Sequence, residues 1–133
     1  MQTFLSLIIG GSLGTLCRYG IGLMSQHWAV SQNFPAGTLL ANVLGCLILG
    51  LFLGVTEARQ ITLPPSLRLM LVVGFLGALT TFSTFELDTF LLLKEGAALK
   101  AAANVLLSIG LGFAALWAAF TWSSWFFAPP KWN

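Results

Sequence analysis

The sequence predicts an all-α membrane protein of four transmembrane helices, and three observations carry that prediction. Of 133 residues, 57% are hydrophobic and only 8% are charged, and the mean hydropathy is +0.90. That leaves too little polar side chain to coat a soluble globule of this size. Four apolar segments, roughly 3–26, 36–57, 67–93 and 98–127, each reach the approximately 20 residues needed to cross a bilayer core about 30 Å thick. Polar or proline-containing stretches separate them, and all five prolines fall at these boundaries.

The first segment opens as "MQTFLSLIIGG", without the basic residues that begin a secretory signal, and its apolar run continues to Met24. It reads as a retained span. Gly10 and Gly14 form a G-x-x-x-G spacing that lets a neighbouring backbone approach closely. Arg18 lies well inside this span, where a charge costs at least about 2.5–3.5 kcal/mol on insertion scales, so it faces protein or water. It serves either as a structural cation or to attract an anion. Cys17 here and Cys46 in the next span sit in apolar runs and read as small buried hydrophobes.

After the polar stretch "HWAVSQNFP" the second segment carries Thr38 and Asn42 four residues apart on one helical face, with Gly50 and Gly54 repeating the glycine spacing. "RQITLPPS" then leads into the third segment, whose centre reads "GFLGALTTFSTF" over residues 74–85. Hydroxyl side chains compete with the backbone for hydrogen bonds, and Gly74 and Gly77 add freedom, so a break in the helix is expected here, mid-membrane. Irregular backbone at membrane depth survives only where protein or water satisfies it, and such breaks mark ion sites. Glu86 and Asp88 follow at once and, with Arg18, are the ionisable residues well inside the spans.

Phe82 and Phe85 share a face beyond the break. As an isolated F-x-x-F they are ordinary core or lipid contacts. Beside hydroxyl and amide donors, their electropositive ring edges can hold a small anion weakly, which suits conduction. In the fourth segment Asn104 and Ser108 again stand four apart. Taken pair by pair, such residues are hydrogen-bonding glue between helices; stacked on two helices, they line a narrow polar track.

Net charge is only +2 and no basic run tracks a nucleic-acid backbone. Trp28, Trp122, Trp125 and Trp132 cluster near segment ends as an interfacial belt. Arg59, Arg68 and Lys131 fall on one side of the membrane and Lys94 and Lys100 on the other, a bias too small to fix orientation. Two copies inserted in opposite senses are therefore expected to pair antiparallel. One four-helix domain, residues 1–133, accounts for the whole chain.

Three motifs in this order, "GGSLGTLCRY" (10–19), "GTLLANVLGC" (37–46) and "GFLGALTTFSTF" (74–85), closely resemble those of the CrcB/Fluc fluoride channels. The resemblance implies an antiparallel, dual-topology homodimer in the cell (inner) membrane that exports fluoride passively through two pathways. It implies pore phenylalanines at Phe82 and Phe85, a pore amide at Asn42, and a hydroxyl track including Ser83, Thr84 and Thr38. Ser108 and Asn104 join the pathway from the less diagnostic fourth span, and Arg18 matches the family's first-span arginine. A structural sodium ion at the dimer centre is implied on the backbone carbonyls of Gly77 and Thr80.

Three positions depart from the pattern: Ala78 replaces a frequent second glycine, Glu86 replaces a small residue, and Asp88 replaces a frequent glutamate. The different-class alternative is a small multidrug-type cation/proton exporter, also short, four-spanning and able to pair antiparallel. That class relies on a glutamate in its first span, where this chain has Arg18 and no acid. An enzyme is not expected, since the single histidine, His27, lies in a loop with no triad or metal-ligand cluster around it.

Overall fold

The computed structural model describes residues 1–27 and 33–129, so Trp28, Lys131 and Trp132 lie outside the described residues. Within them the chain is helical and contains no strand. Helix α1 spans Gln2–Ser25 and α2 spans Ala36–Ala58. The third segment contains two helices: α3 covers residues 65–79, and α4 covers Phe82–Lys94. Helix α5, Ala98–Phe126, completes the chain. Four helical stretches, with Pro65–Lys94 counted as one, are long and apolar enough to cross a membrane. The protein is a multi-pass membrane protein.

Local chemistry sets the ends of these elements. Helix α2 closes with Gln60 Nα–H donating to the Glu57 carbonyl and Ile61 Nα–H donating to that of Thr56. This paired closure places Gln60 at φ +51°, in the left-handed region that glycine usually fills. Pro65 starts α3, where its missing N–H and fixed φ are no handicap. From Leu69 to Leu76 the third segment winds as a π-helix, a wide form that is rare in long runs. At the end of α4, Ala97 Nα–H bonds the Leu92 carbonyl and Gly96 Nα–H that of Leu93, with Gly96 at φ +75°.

Packing follows the glycines. Helix α1 lies chiefly against α3, and α2 chiefly against α5. A Cβ at Gly10 would meet the Met70 carbonyl oxygen, and one at Gly14 the carbonyl oxygen of Phe75. On the second pair, a Cβ at Gly50 would meet the Leu116 carbonyl oxygen and one at Gly54 the Ser123 hydroxyl. Both G-x-x-x-G spacings thus mark helix contacts without room for a methyl group. The buried residues are few and, Phe85 apart, small to medium in size, among them Ala41, Leu79, Ala101 and Ala119. Large apolar side chains such as Ile8, Leu16, Leu106 and Trp125 point outward, as expected for helices solvated by lipid.

Candidate functional site

The third segment departs from helical geometry at Thr80 (φ −82°, ψ 154°) and Thr81 (φ −149°, ψ 118°), both extended. Two side chains hold this irregular pair. The Asn42 amide on α2 accepts from Thr81 Nα–H through Oδ1 at 2.8 Å and donates through Nδ2 to the Thr81 carbonyl at 3.2 Å. The Thr81 hydroxyl accepts from Thr84 Nα–H at 3.2 Å, capping α4, and donates to the Thr84 hydroxyl at 2.9 Å. Thr80 folds its own hydroxyl back onto the Leu76 carbonyl at 2.9 Å.

These bonds redirect two donors that a continuous helix would use internally. Thr81 Nα–H would close on the Gly77 carbonyl and Thr84 Nα–H on the Thr80 carbonyl, four residues back. They go instead to Asn42 Oδ1 and Thr81 Oγ1. The carbonyls of Gly77 and Thr80 are thereby released from those helical partners.

Around this segment lie two clefts. A groove of about 680 Å³ brings together Asn42, Thr80, Phe82, Phe85, Glu86 and Ser108, with Gly77 at its wall. The Phe82 and Phe85 ring centroids are 5.8 Å apart and tilted by 44°. Phe85 is 8% exposed and packed, whereas Phe82 is 74% exposed in the single chain. A second cleft, about 380 Å³, gathers Arg18, Tyr19, Thr15, Thr38, Thr81 and Thr84. Thr81 lines both.

The hydroxyls differ in what they have free. Ser108 Oγ is buried and unpartnered. Several other serines and threonines within these helices turn back onto a carbonyl of the preceding turn, as Thr56, Thr89, Thr121 and Ser123 do. Thr38 gives its proton to Asp88 Oδ2 at 2.7 Å, so in this conformation it offers an anion no donor. Asn42 retains one of its two amide protons after the bond to Thr81. Ser83 is exposed and lines neither cleft. Asn104 is fully buried, bonds the Thr89 hydroxyl at 2.9 Å, and is not among the groove residues.

Thr81 is the residue that sequence reading passed over. Its signal was present: a threonine three residues ahead of Thr84, at the start of a helix, has the spacing of an N-cap. Thr89, four residues past Phe85, was missed for the same reason that any single helical threonine is unremarkable.

A family model described as "CrcB-like protein, Camphor Resistance (CrcB)" matches residues 5–120. A protein of Geobacter sp. named fluoride-specific ion channel FluC is 44% identical over 110 residues, which are 82% of this chain and 86% of that one. A protein of the same name from Nitratidesulfovibrio vulgaris is 44% identical over 117 residues, 88% of this chain and 93% of the relative. A third, from Methylococcus capsulatus, is 45% identical over 112 residues; that match takes in 84% of this chain but about half of the relative, 48%. With a family match that runs from the first helix to the last, and relatives of this identity aligned over most of its length, the chain belongs to the CrcB family.

Proposed function

We propose that the protein is a passive, fluoride-selective channel that lets fluoride leave the cell, and not an enzyme. The observation that carries this reading is the groove in which the Phe82 and Phe85 rings stand beside the spare amide proton of Asn42 and the unpartnered hydroxyl of Ser108. Fluoride is small, strongly hydrated and a strong acceptor. Closely placed neutral donors and ring edges can replace its water without binding it so tightly that it stays. Chloride, being larger, fits the same donors poorly. Arg18 and Thr84 both line the second cleft, a place for an anion to gather before the groove. Ser83 and Asn104 line neither cleft, and in this reading they stand outside the pathway.

The working unit in this reading is an antiparallel pair of copies in the inner membrane, with the break in the third segment at mid-membrane. A sodium ion would sit at the centre of the pair. The chemistry of the break fits it: the Gly77 and Thr80 carbonyls have lost their helical donors, and carbonyl oxygens suit a hard cation. Such an ion supplies fixed positive charge that holds two irregular segments together. The residues around it do the local work, Asn42 and Thr81 keeping the carbonyls free. The cation/proton exporter reading gains nothing from the geometry, since the charged side chain of α1 in the clefts is Arg18. Efflux of fluoride and chloride from liposomes carrying the purified protein tests the proposal, and equal loss of both ions would overturn its selectivity.

A further inference from the structure

Asn104 is a costly residue in its place. It is 0% exposed, its Oδ1 has no partner, and an unsatisfied buried acceptor costs about 1–3 kcal/mol. What it does with its other end is donate through Nδ2 to Thr89 Oγ1 at 2.9 Å. Thr89 passes the bond on, donating to the Phe85 carbonyl at 2.8 Å. The chain of donors runs in one direction, amide to hydroxyl to carbonyl, so each bond polarises the next.

A threonine in a helix has two accessible side-chain rotamers, and back-bonding to the carbonyl four residues earlier bends the helix locally. The Asn104 donor selects the rotamer in which the Thr89 proton points at Phe85. The turn of α4 that carries Phe85 is therefore tied to α5 through two residues that do not line the groove. Phe82 faces out and has no such support, which leaves Phe85 as the ring with a fixed position.

From this we propose that Asn104 and Thr89 are positioning residues for Phe85, setting the ring through the backbone without touching the ion. The proposal rests on the channel reading for its functional consequence, but its structural half stands apart from it. Two arms separate them.

In the first, 4-fluorophenylalanine is incorporated at Phe85 and its fluorine resonance is recorded in Thr89→Val, Thr89→Ser and unmodified protein in detergent. Thr89→Val is expected to shift or broaden the line and Thr89→Ser to restore it; an unmoved line in Thr89→Val would overturn the proposal whatever the protein conducts. In the second, fluoride efflux from liposomes is expected to fall by about tenfold in Thr89→Val, a loss one hydrogen bond can account for, and to return to within about twofold in Thr89→Ser. Asn104→Leu should lower flux by about as much as Thr89→Val, and the double variant by no more than either, because they act in series.

Thermal stability gives the contrast with a purely structural role. Asn104→Leu, by removing an unsatisfied acceptor, should melt at or above the temperature of the unmodified protein while conducting less. Loss of stability and flux together in Asn104→Leu, with full flux in Thr89→Val, would overturn the positioning role. Absence of fluoride flux from unmodified protein, with the resonance behaving as expected, would sink the channel reading and leave the positioning intact.

Discussion

Removing the Asn42 side chain tests the site at its hinge. Its amide makes both hydrogen bonds of the extended Thr81 backbone, at 2.8 and 3.2 Å. Asn42→Leu keeps most of the volume and removes both. Thr81 is 9% exposed, so its N–H finds no ready substitute, at a cost of about 1–3 kcal/mol, and loss of the bond to its carbonyl adds about 1 kcal/mol. The sum, about 2–4 kcal/mol, is a large share of the stability of a small domain. Some of it can be recovered if Thr81 Nα–H returns to the Gly77 carbonyl, and that would straighten the segment and close the carbonyls proposed to hold sodium. Either response displaces Phe82 from the Asn42 side of the groove. Unfolding in detergent, followed by circular dichroism, should show the loss of stability, and liposome efflux should show fluoride flux reduced by more than tenfold. An Asn42→Leu protein within about 0.5 kcal/mol of the original and conducting at its rate would refute the view that this amide organises the break.

Other substitutions probe separate parts of the account. Phe85→Ile should abolish fluoride flux and lower stability modestly, since the ring is packed, while Phe82→Ile should abolish flux with little effect on unfolding, because that ring is exposed; paired unfolding and efflux measurements check both. Gly54→Ala drives a methyl group into the Ser123 hydroxyl and should destabilise the α2 and α5 pairing by about 2 kcal/mol or more, whereas Gly20→Ala, with nothing within 4 Å, should be neutral or slightly stabilising. Gln60→Gly should raise stability by about 1 kcal/mol by relieving a left-handed residue at φ +51°, without changing flux. Replacing sodium with a bulky organic cation throughout should lower the stability of the paired form and its fluoride conduction together; unchanged melting and flux would remove sodium from the account.

Much of the fold was legible because a bilayer imposes so few solutions. Spans expected at roughly 3–26, 36–57 and 98–127 correspond to helices Gln2–Ser25, Ala36–Ala58 and Ala98–Phe126. The glycine spacings announced which faces meet, although not which helix each would meet. That pairing is set in three dimensions, where Gly74 on α3 comes against Gly10 of α1. The candidate site was less transparent. Thr38, Asn42 and Thr84 were recognisable as polar residues in an apolar chain, yet sequence could not say that the Thr38 proton is committed to Asp88 or that Asn42 grips a backbone. Helical periodicity grouped Asn104 with Ser108, yet only Ser108 is among the groove residues. It could not distinguish a serine that lines the groove from an amide committed to Thr89, because that depends on the approach of α4. The π-helical stretch from Leu69 to Leu76 had no signal in the residue pattern at all.

The central claim is selective, passive conduction of fluoride, and the most direct measurement is efflux from liposomes loaded with potassium fluoride or potassium chloride and opened with a potassium ionophore. Rapid release of fluoride with negligible release of chloride is the predicted result. Correctly folded protein that releases no fluoride, or that releases chloride at a comparable rate, would contradict it.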